Sequence, residues 1–295
     1  MSAATSPTTE ARGNIGVWRR VARAMRGSPG LPFGGGSILF FLLVALVGPA
    51  VVGDPAAQDV INRLQPPGAE AWFGTDEFGR DLFARMVYGT RTTLMVGALV
   101  TVMAGLMGLA VGVLAGYYRG LDNVLMRIMD GLLAFPSVVL ALGLVAALGP
   151  RLSNTVVALA IVYTPRVARL ARGVVLAVRE QEYVMGARAV GARDPRIVFR
   201  YVLANISDVV IVQLSYIFAL AVIAESALSF LGVTGSVGTP SWGGILSDGR
   251  VYVYQAPSMT VIPGLAIMLL VLALNLLGDA LQERLDPRIR GRFRG

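Results

Sequence analysis

Residues 179–205 read REQEYVMGARAVGARDPRIVFRYVLAN and lie between two apolar stretches. Their side chains offer no nucleophile with a partnering base, so the chemistry they allow is non-covalent recognition. Residues 182–192 are good helix formers up to Gly191. Asp194-Pro195 then opens a second helix, since proline is tolerated in a first turn. Over 195–203 that helix sets Ile197, Tyr201 and Ala204 on one side, with Arg196 and Arg200 on another. Two short helices joined at a glycine would make a knob with an apolar stripe and basic flanks. Such a knob suits a groove on a cytosolic protein. It equally suits an amphipathic hairpin lying on anionic lipid.

Three other groupings draw notice. Asp76, Arg80 and Asp81 sit in the turn-rich stretch 72–81, placed to pair among themselves or to meet a protein that delivers substrate. Glu225 is an acid inside an apolar run, where ionisable side chains are functional suspects; a structural cap or interhelical hydrogen bond is the reading preferred here. Trp242, Tyr252 and Tyr254 fit an interfacial aromatic belt, and alternatively an outer gate or a contact with a protein that delivers substrate.

The elements that position these residues belong to a membrane protein. The chain has 295 residues, of which 55% are hydrophobic and 15% charged. Its mean hydropathy is +0.66, whereas soluble domains carry about a quarter charged residues. It has no Cys, no His and no Lys; all 26 basic residues are Arg. That excludes a Walker A lysine, Cys/His metal sites, Schiff-base chemistry and histidine general bases. No catalytic residue, cofactor site or metal site is expected within the chain. The net charge of +8 invites a nucleic-acid partner. Arginines flanking apolar spans explain it better and point to membrane lipid.

Apolar runs of about 20 residues cross a bilayer as helices. Six are read: 34–53, 92–118, 131–150 with a kink at Pro136, 152–178, 207–231 and 258–277. The fourth loses apolarity after Pro165 and runs on as a helix carrying Arg166, Arg169 and Arg172. The first is read as an uncleaved span. Six spans put both termini on one side. With that side cytoplasmic, 20 of the 26 arginines are inside, as the positive-inside rule requires. Gly105, Gly108, Gly112 and Gly116 share a helix face and suit ordinary bundle packing. The domain reading is a tail over 1–33, a permease unit over 34–282 with its core at 92–282 and its loop at 179–205, and a basic tail over 283–295.

The loop resembles that of binding-protein-dependent ABC importer permeases. Their pattern is Glu-Ala-Ala, three residues, Gly, nine residues, then Ile-x-Leu-Pro. Ala187, Gly191 and Leu203 match it. Met185 stands for the Glu, Gly186 for the first Ala, Tyr201 for the Ile and Ala204 for the Pro. WFGTDEFGRDLFARMVYGTRTTL (72–94), ARLARGVVLAVREQEYV (168–184), AESALSFLGV (224–233), PSWGGIL (240–246), PGLAI (263–267) and NLLGDALQERLDPR (275–288) resemble, in order, the dipeptide/oligopeptide/nickel group, and within it the C-type subunit.

The resemblance implies an all-α, polytopic, six-helix type I ABC importer permease in a bacterial plasma (inner) membrane, multi-pass with both termini cytoplasmic. It implies passage of dipeptides or oligopeptides, or alternatively of nickel, glutathione or haem. It implies a homologous B-type permease, two ATPase subunits holding ATP and Mg, and an extracytoplasmic solute-binding protein. It also assigns coupling to the ATPase to Glu182, Tyr183, Met185, Gly186, Ala187, Arg188, Gly191, Ala192 and Leu203. A secondary transporter would instead need internal repeats and buried ionisable pairs near the midplane, and the spans carry neither. A scaffold or receptor would need a separable soluble domain, and a membrane enzyme would need convergent acids; neither feature is present in the sequence.

Overall fold

A computed structural model of the chain describes residues 30–234 and 239–285. Among them, regular structure is helical apart from one isolated bridge between Thr75 and Asp81. The helices are α1 (Gly30–Val51), α2 (Leu82–Tyr117), α3 (Arg119–Leu133), α4 (Ser137–Leu148) and α5 (Leu152–Arg179). They continue as α6 (Glu182–Ala189), α7 (Asp194–Ile197), α8 (Leu203–Phe230), α9 (Trp242–Gly249) and α10 (Ser258–Leu285). Residues 1–29 of the expected amino-terminal tail lie outside the described residues, and 30–33 already belong to α1. The expected basic tail at 283–295 begins inside α10; its remainder, 286–295, lies outside the described residues.

The described residues hold fewer wholly apolar spans than the six expected. Four helical runs are long and apolar enough to cross a bilayer: Gly30–Val51, Leu82–Tyr117, Asp194–Phe230 and Ser258–Arg284. A fifth exists only if α3 and α4 are taken as one broken span, because they meet at 95°. The kink expected at Pro136 is a full break. Proline steers the residue before it away from the helical region. Pro136 itself takes the extended N-cap position of α4, at φ −54°, ψ 129°. With 12 residues, α4 is about 18 Å long, short of the roughly 30 Å hydrocarbon core. The fourth expected span, α5, has 28 residues, but its arginines keep it from being apolar throughout. Arg172 offsets part of that charge by donating Nε and Nη2 to Asp122 of α3 at 2.5 and 2.6 Å. Arg169 donates to Asp130 of α3 at 2.7 Å.

Helix α2 begins well before its uncharged run. Asp81 sits at its N-cap, and its carboxylate accepts from the Phe83 and Ala84 amides at 3.0 and 3.3 Å. That cap recruits Leu82 to Arg91 into the helix despite two arginines. The most extensive pairing is α2 on α5. It depends on missing side chains: a Cβ at Gly112 would lie 2.5 Å from the Ala168 carbonyl oxygen, and Gly108 and Gly116 are as tightly faced by α5. Gly105 faces Leu214 of α8 instead. The glycine stripe is therefore a seam within this chain.

Three apolar clusters follow one another along the bundle. One, at the far end, joins α1, α2, α8, α9 and α10 around Phe41, Met86, Trp242 and Met259. The middle one joins α2, α4, α5 and α8. The last lies at the arginine-rich end and includes Val113, Tyr117, Val175, Val184, Ile197, Val202 and Ile206.

Candidate docking site

The last cluster anchors the 179–205 segment. Helix α5 stops at Arg179, which donates Nη1 to the Gly116 carbonyl at 2.7 Å and so ties the segment's start to the end of α2. Helix α6 is eight residues long and has no side-chain cap at Gln181. An isolated helix that short is unstable in water. Val184 holds it: its side chain is fully buried in the last cluster. Burying a valine contributes about 1.5–3 kcal/mol.

Its other end is closed by Gly191, which has φ +84°. The Ala192 amide donates to the Ala187 carbonyl at 3.0 Å and the Gly191 amide to the Arg188 carbonyl at 2.9 Å. These two bonds form a Schellman stop, which needs a left-handed residue at this position. Nothing lies within 4 Å of where a Gly191 Cβ would be. The constraint there is backbone conformation rather than space.

Past the turn, the structure departs from two separate helices. Asp194–Ile197 is α-helical, Val198–Val202 is a π turn, and α8 follows without interruption. The second arm of the expected knob is therefore the first part of a span. The π turn also shifts the buried face. An α-helical stripe would bury Ile197, Tyr201 and Ala204; the residues buried are Ile197, Val202 and Ile206, while Tyr201 is half-buried and Ala204 exposed. One extra residue in the turn moves Val202 to where Tyr201 was expected.

Further bonds lock the segment to the bundle. The Tyr117 hydroxyl donates to Asp194 at 2.6 Å. The Arg188 guanidinium lies over the Tyr117 ring, 5.4 Å from its centroid. Tyr183 and Tyr201 meet with ring centroids 5.9 Å apart. The nine residues assigned to the site therefore divide. Glu182, Tyr183, Met185, Gly186, Arg188 and Gly191 are exposed, whereas Ala187, Ala192 and Leu203 are half-buried. Ala192 and Leu203 pack against the last cluster. Arg188, though exposed, also contacts its own chain.

Sequence reasoning passed over two residues of this surface. Val190, next to the glycine, is 86% exposed, and Phe199 in the π turn is 72% exposed. Tyr183 and Met185 on α6 are exposed as well, as are Arg193, Arg196 and Arg200 further along the segment. The position of Val190 before a stop glycine was the available signal, since a helix end at a loop tip leaves its last residue in the open. Phe199 had no such signal.

The opposite end is closed in on itself. Asp76 is fully buried. It accepts from the Phe78 and Arg80 amides, both at 2.9 Å, from Arg80 Nε at 2.6 Å, and from Arg85 Nη1. Arg85 Nη2 donates to Asp248 of α9 at 3.0 Å. Burial pushes the Glu77 carboxyl above its usual range, and the charges of Asp76 and Asp248 add to the shift. Asp76 and Arg80 thus pair internally, and Asp81 is a helix cap.

Glu225 is buried, and its Oε1 accepts from Ser229 at 2.7 Å within the same helix. Ser229 in turn meets Thr234 and Ser241 at 2.9 and 3.3 Å. The aromatic belt needs correction. Trp242 is fully buried, packs edge-on against Phe41 at 5.4 Å, and donates Nε1 to the Met86 carbonyl at 3.2 Å. Tyr254 is 98% exposed. Among the described residues, no group of three acids gathers to hold a metal.

Comparisons with known proteins agree with this architecture. The family described as binding-protein-dependent transport system inner membrane component matches residues 108–291. A Brucella suis biovar 1 protein assigned as a peptide transport system permease is 43% identical over 297 residues, covering 98% of this chain and 99% of that one. The dipeptide transport system permease protein of Alkalihalophilus pseudofirmus is 41% identical over 278 residues, covering 94% and 91%. The glutathione transport system permease protein of Pectobacterium atrosepticum is 40% identical over 231 residues, covering 78% and 77%. The crystal structure of an amino acid ABC transporter superposes with a TM-score of 0.50 at 17% identity, over 65% of this chain and 90% of that one, a likeness of fold alone. The chain belongs to the binding-protein-dependent transport system inner membrane component family and is a multi-pass protein of the inner membrane.

Proposed function

We propose that this member of the family is one of two permease subunits of an ATP-driven importer, and that it passes small peptides across the plasma membrane. Support for peptides comes from the names of the relatives. Glutathione, named for one of them, is itself a small peptide and stands as the second cargo. The chain would contribute no catalysis. ATP and Mg would be held by two ATPase subunits beneath it, and an external solute-binding protein would supply the cargo. The domain scheme is one permease unit with a docking segment at 179–205. Both termini would face the cytoplasm, with that segment.

The observation that carries the mechanism is α6. It is a short helix, rigidly stopped at Gly191 and pinned by Val184, yet it presents Tyr183, Met185 and Val190 outward. Closure of an ATPase pair exerts force on whatever it grips. A helix fastened at both ends passes that force to α5 and α8, whose ends flank it. Glu182, Tyr183, Met185 and Gly186 would meet the ATPase. Arg188 and Gly191 would hold the shape, and Ala187, Ala192 and Leu203 would seat the helix on the bundle. The two permeases would then rock between inward- and outward-open states, which cargo and nucleotide populate differently.

The test is reconstitution of the chain with its partner permease, both ATPases and the binding protein in vesicles. Peptide uptake that needs ATP and all five components supports the proposal. Uptake by this chain alone, driven by a proton gradient, overturns it. Labelling of residues 182–190 from outside intact cells overturns the orientation.

A further inference from the structure

Helices α1 and α2 diverge beside the 54–81 loop and leave a cavity of about 550 Å³. Its walls are Phe40, Val44, Val47 and Val51 from α1 and Phe83 and Val87 from α2. The α1 wall faces outward: Phe40, Val47 and Val51 are 60%, 54% and 78% exposed. Along a helix axis, Phe40 to Val51 spans about 16 Å. That is close to half of a hydrocarbon core of about 30 Å, the depth of one leaflet.

One end of the groove is polar. Glu70, Asp81 and Trp72 line it there, and no arginine does. Trp72 meets Phe83 with ring centroids 5.1 Å apart and the rings tilted by 50°, and 67% of it is exposed, in keeping with an indole at a membrane interface. Asp81 accepts there from the first amides of α2. Glu70 is exposed.

We propose that this groove is a binding site for one phospholipid whose headgroup carries a primary ammonium, such as phosphatidylethanolamine. The acyl chain would lie along α1 against Val44 and Val47, and the ammonium would meet Glu70 and Asp81. Two carboxylates without a cation repel phosphatidylglycerol and cardiolipin. A primary ammonium donates hydrogen bonds to carboxylates, whereas the trimethylammonium of phosphatidylcholine has no proton to donate. Both acids border water, so the preference is modest. Roughly fivefold is the size of one exposed charge interaction. This goes beyond peptide import; only the choice of the outer leaflet rests on the proposed orientation.

The test is native mass spectrometry of the full chain released from nanodiscs of equimolar phosphatidylethanolamine, phosphatidylcholine and phosphatidylglycerol with matched acyl chains. The expected result is retention of the ethanolamine lipid about fivefold over either of the others. Glu70→Gln should reduce that preference over phosphatidylcholine toward parity. Val47→Trp should fill the groove and abolish the retained lipid while leaving the helical circular dichroism unchanged. Equal retention of the three lipids overturns the proposal, as does retention unaffected by Val47→Trp. Equal retention of the two zwitterionic lipids overturns the role of the ammonium protons. In the assembled complex, Val47→Cys in this cysteine-free chain should give no crosslink to the second permease. A crosslink to the second permease at that position would instead make the groove a subunit interface and overturn the proposal.

Discussion

The two ends of the bundle treat their charges in opposite ways. At one end Asp76 is fully buried and takes four hydrogen bonds, two from backbone amides and two from arginines. Arg85 then links it to Asp248 on α9. At the other end α6 has no side-chain cap and leaves Tyr183, Met185 and Val190 in the open. The first arrangement is complete without a partner, and the second is not. A buried charge must be matched within its own fold, because leaving it unmatched costs several kcal/mol. An exposed apolar surface carries no such demand and remains available to another protein. The end that would face the force source is thus fastened by a few contacts, while the far end resists it.

That contrast can be broken from either side. Asp76→Asn removes the buried charge that Arg80 and Arg85 share and leaves Arg85 with Asp248 as its carboxylate partner, so it should lower stability by about 3 kcal/mol, seen as early thermal unfolding of the purified chain. Adding Arg85→Met should recover a substantial part of that loss. A single mutant that melts like the wild type would show the network to be ornamental. Tyr117→Phe removes a hydrogen bond to a carboxylate, worth about 1.5–3 kcal/mol, and should raise proteolysis within 182–193 before it moves the main unfolding transition.

Gly191→Val puts a β-branched residue at φ +84°, at a cost of about 1–2 kcal/mol. It should lower peptide uptake per ATP hydrolysed about tenfold, the loss expected if that strain of about 1.4 kcal/mol falls wholly on the coupled state, with the spans intact. Unchanged coupling would count against α6 as the transmitting element. Val190→Ser touches only the open surface and should change stability by less than about 0.5 kcal/mol, while weakening capture of the ATPase subunits in pull-downs.

The smallest effect is the pH response of Glu77. Its carboxyl is raised by burial, so the folded chain holds that proton more tightly than the unfolded chain. The resulting stability is full below the unfolded carboxylate value and is lost as pH rises through the folded value. Glu77→Gln should flatten this part of the profile, measured as melting temperature across the acidic range. A steeper profile in the variant would reverse the sign.

Much of this is legible in the sequence. Gly191 after a run of helix formers marked the stop, and Asp194-Pro195 marked the restart. The break at Pro136 was legible in place but not in size, because a kink and a 95° corner share one sequence signal. The π turn at Val198–Val202 left no mark, since one extra residue in a helical turn has no residue signature of its own. Trp242 was misplaced because a tryptophan near a span end suits an interface. Here Gly89 opens room for its ring, which a Cβ would approach to 3.0 Å.

The amino-acid sequence by itself determined that this is a helical membrane protein, where most of its spans run, which arginines crowd one end, and that a stopped helix projects there. Those properties depend on apolar run length and on helix-stop signals, which are local and read residue by residue. Only the tertiary structure decided that Arg85 meets Asp248, 163 residues away, that Val202 and not Tyr201 turns inward, and that α1 parts from α2 beside Trp72. Each of these depends on which surfaces meet once the helices pack. Many packings satisfy the same apolar pattern, and contacts between distant residues select among them.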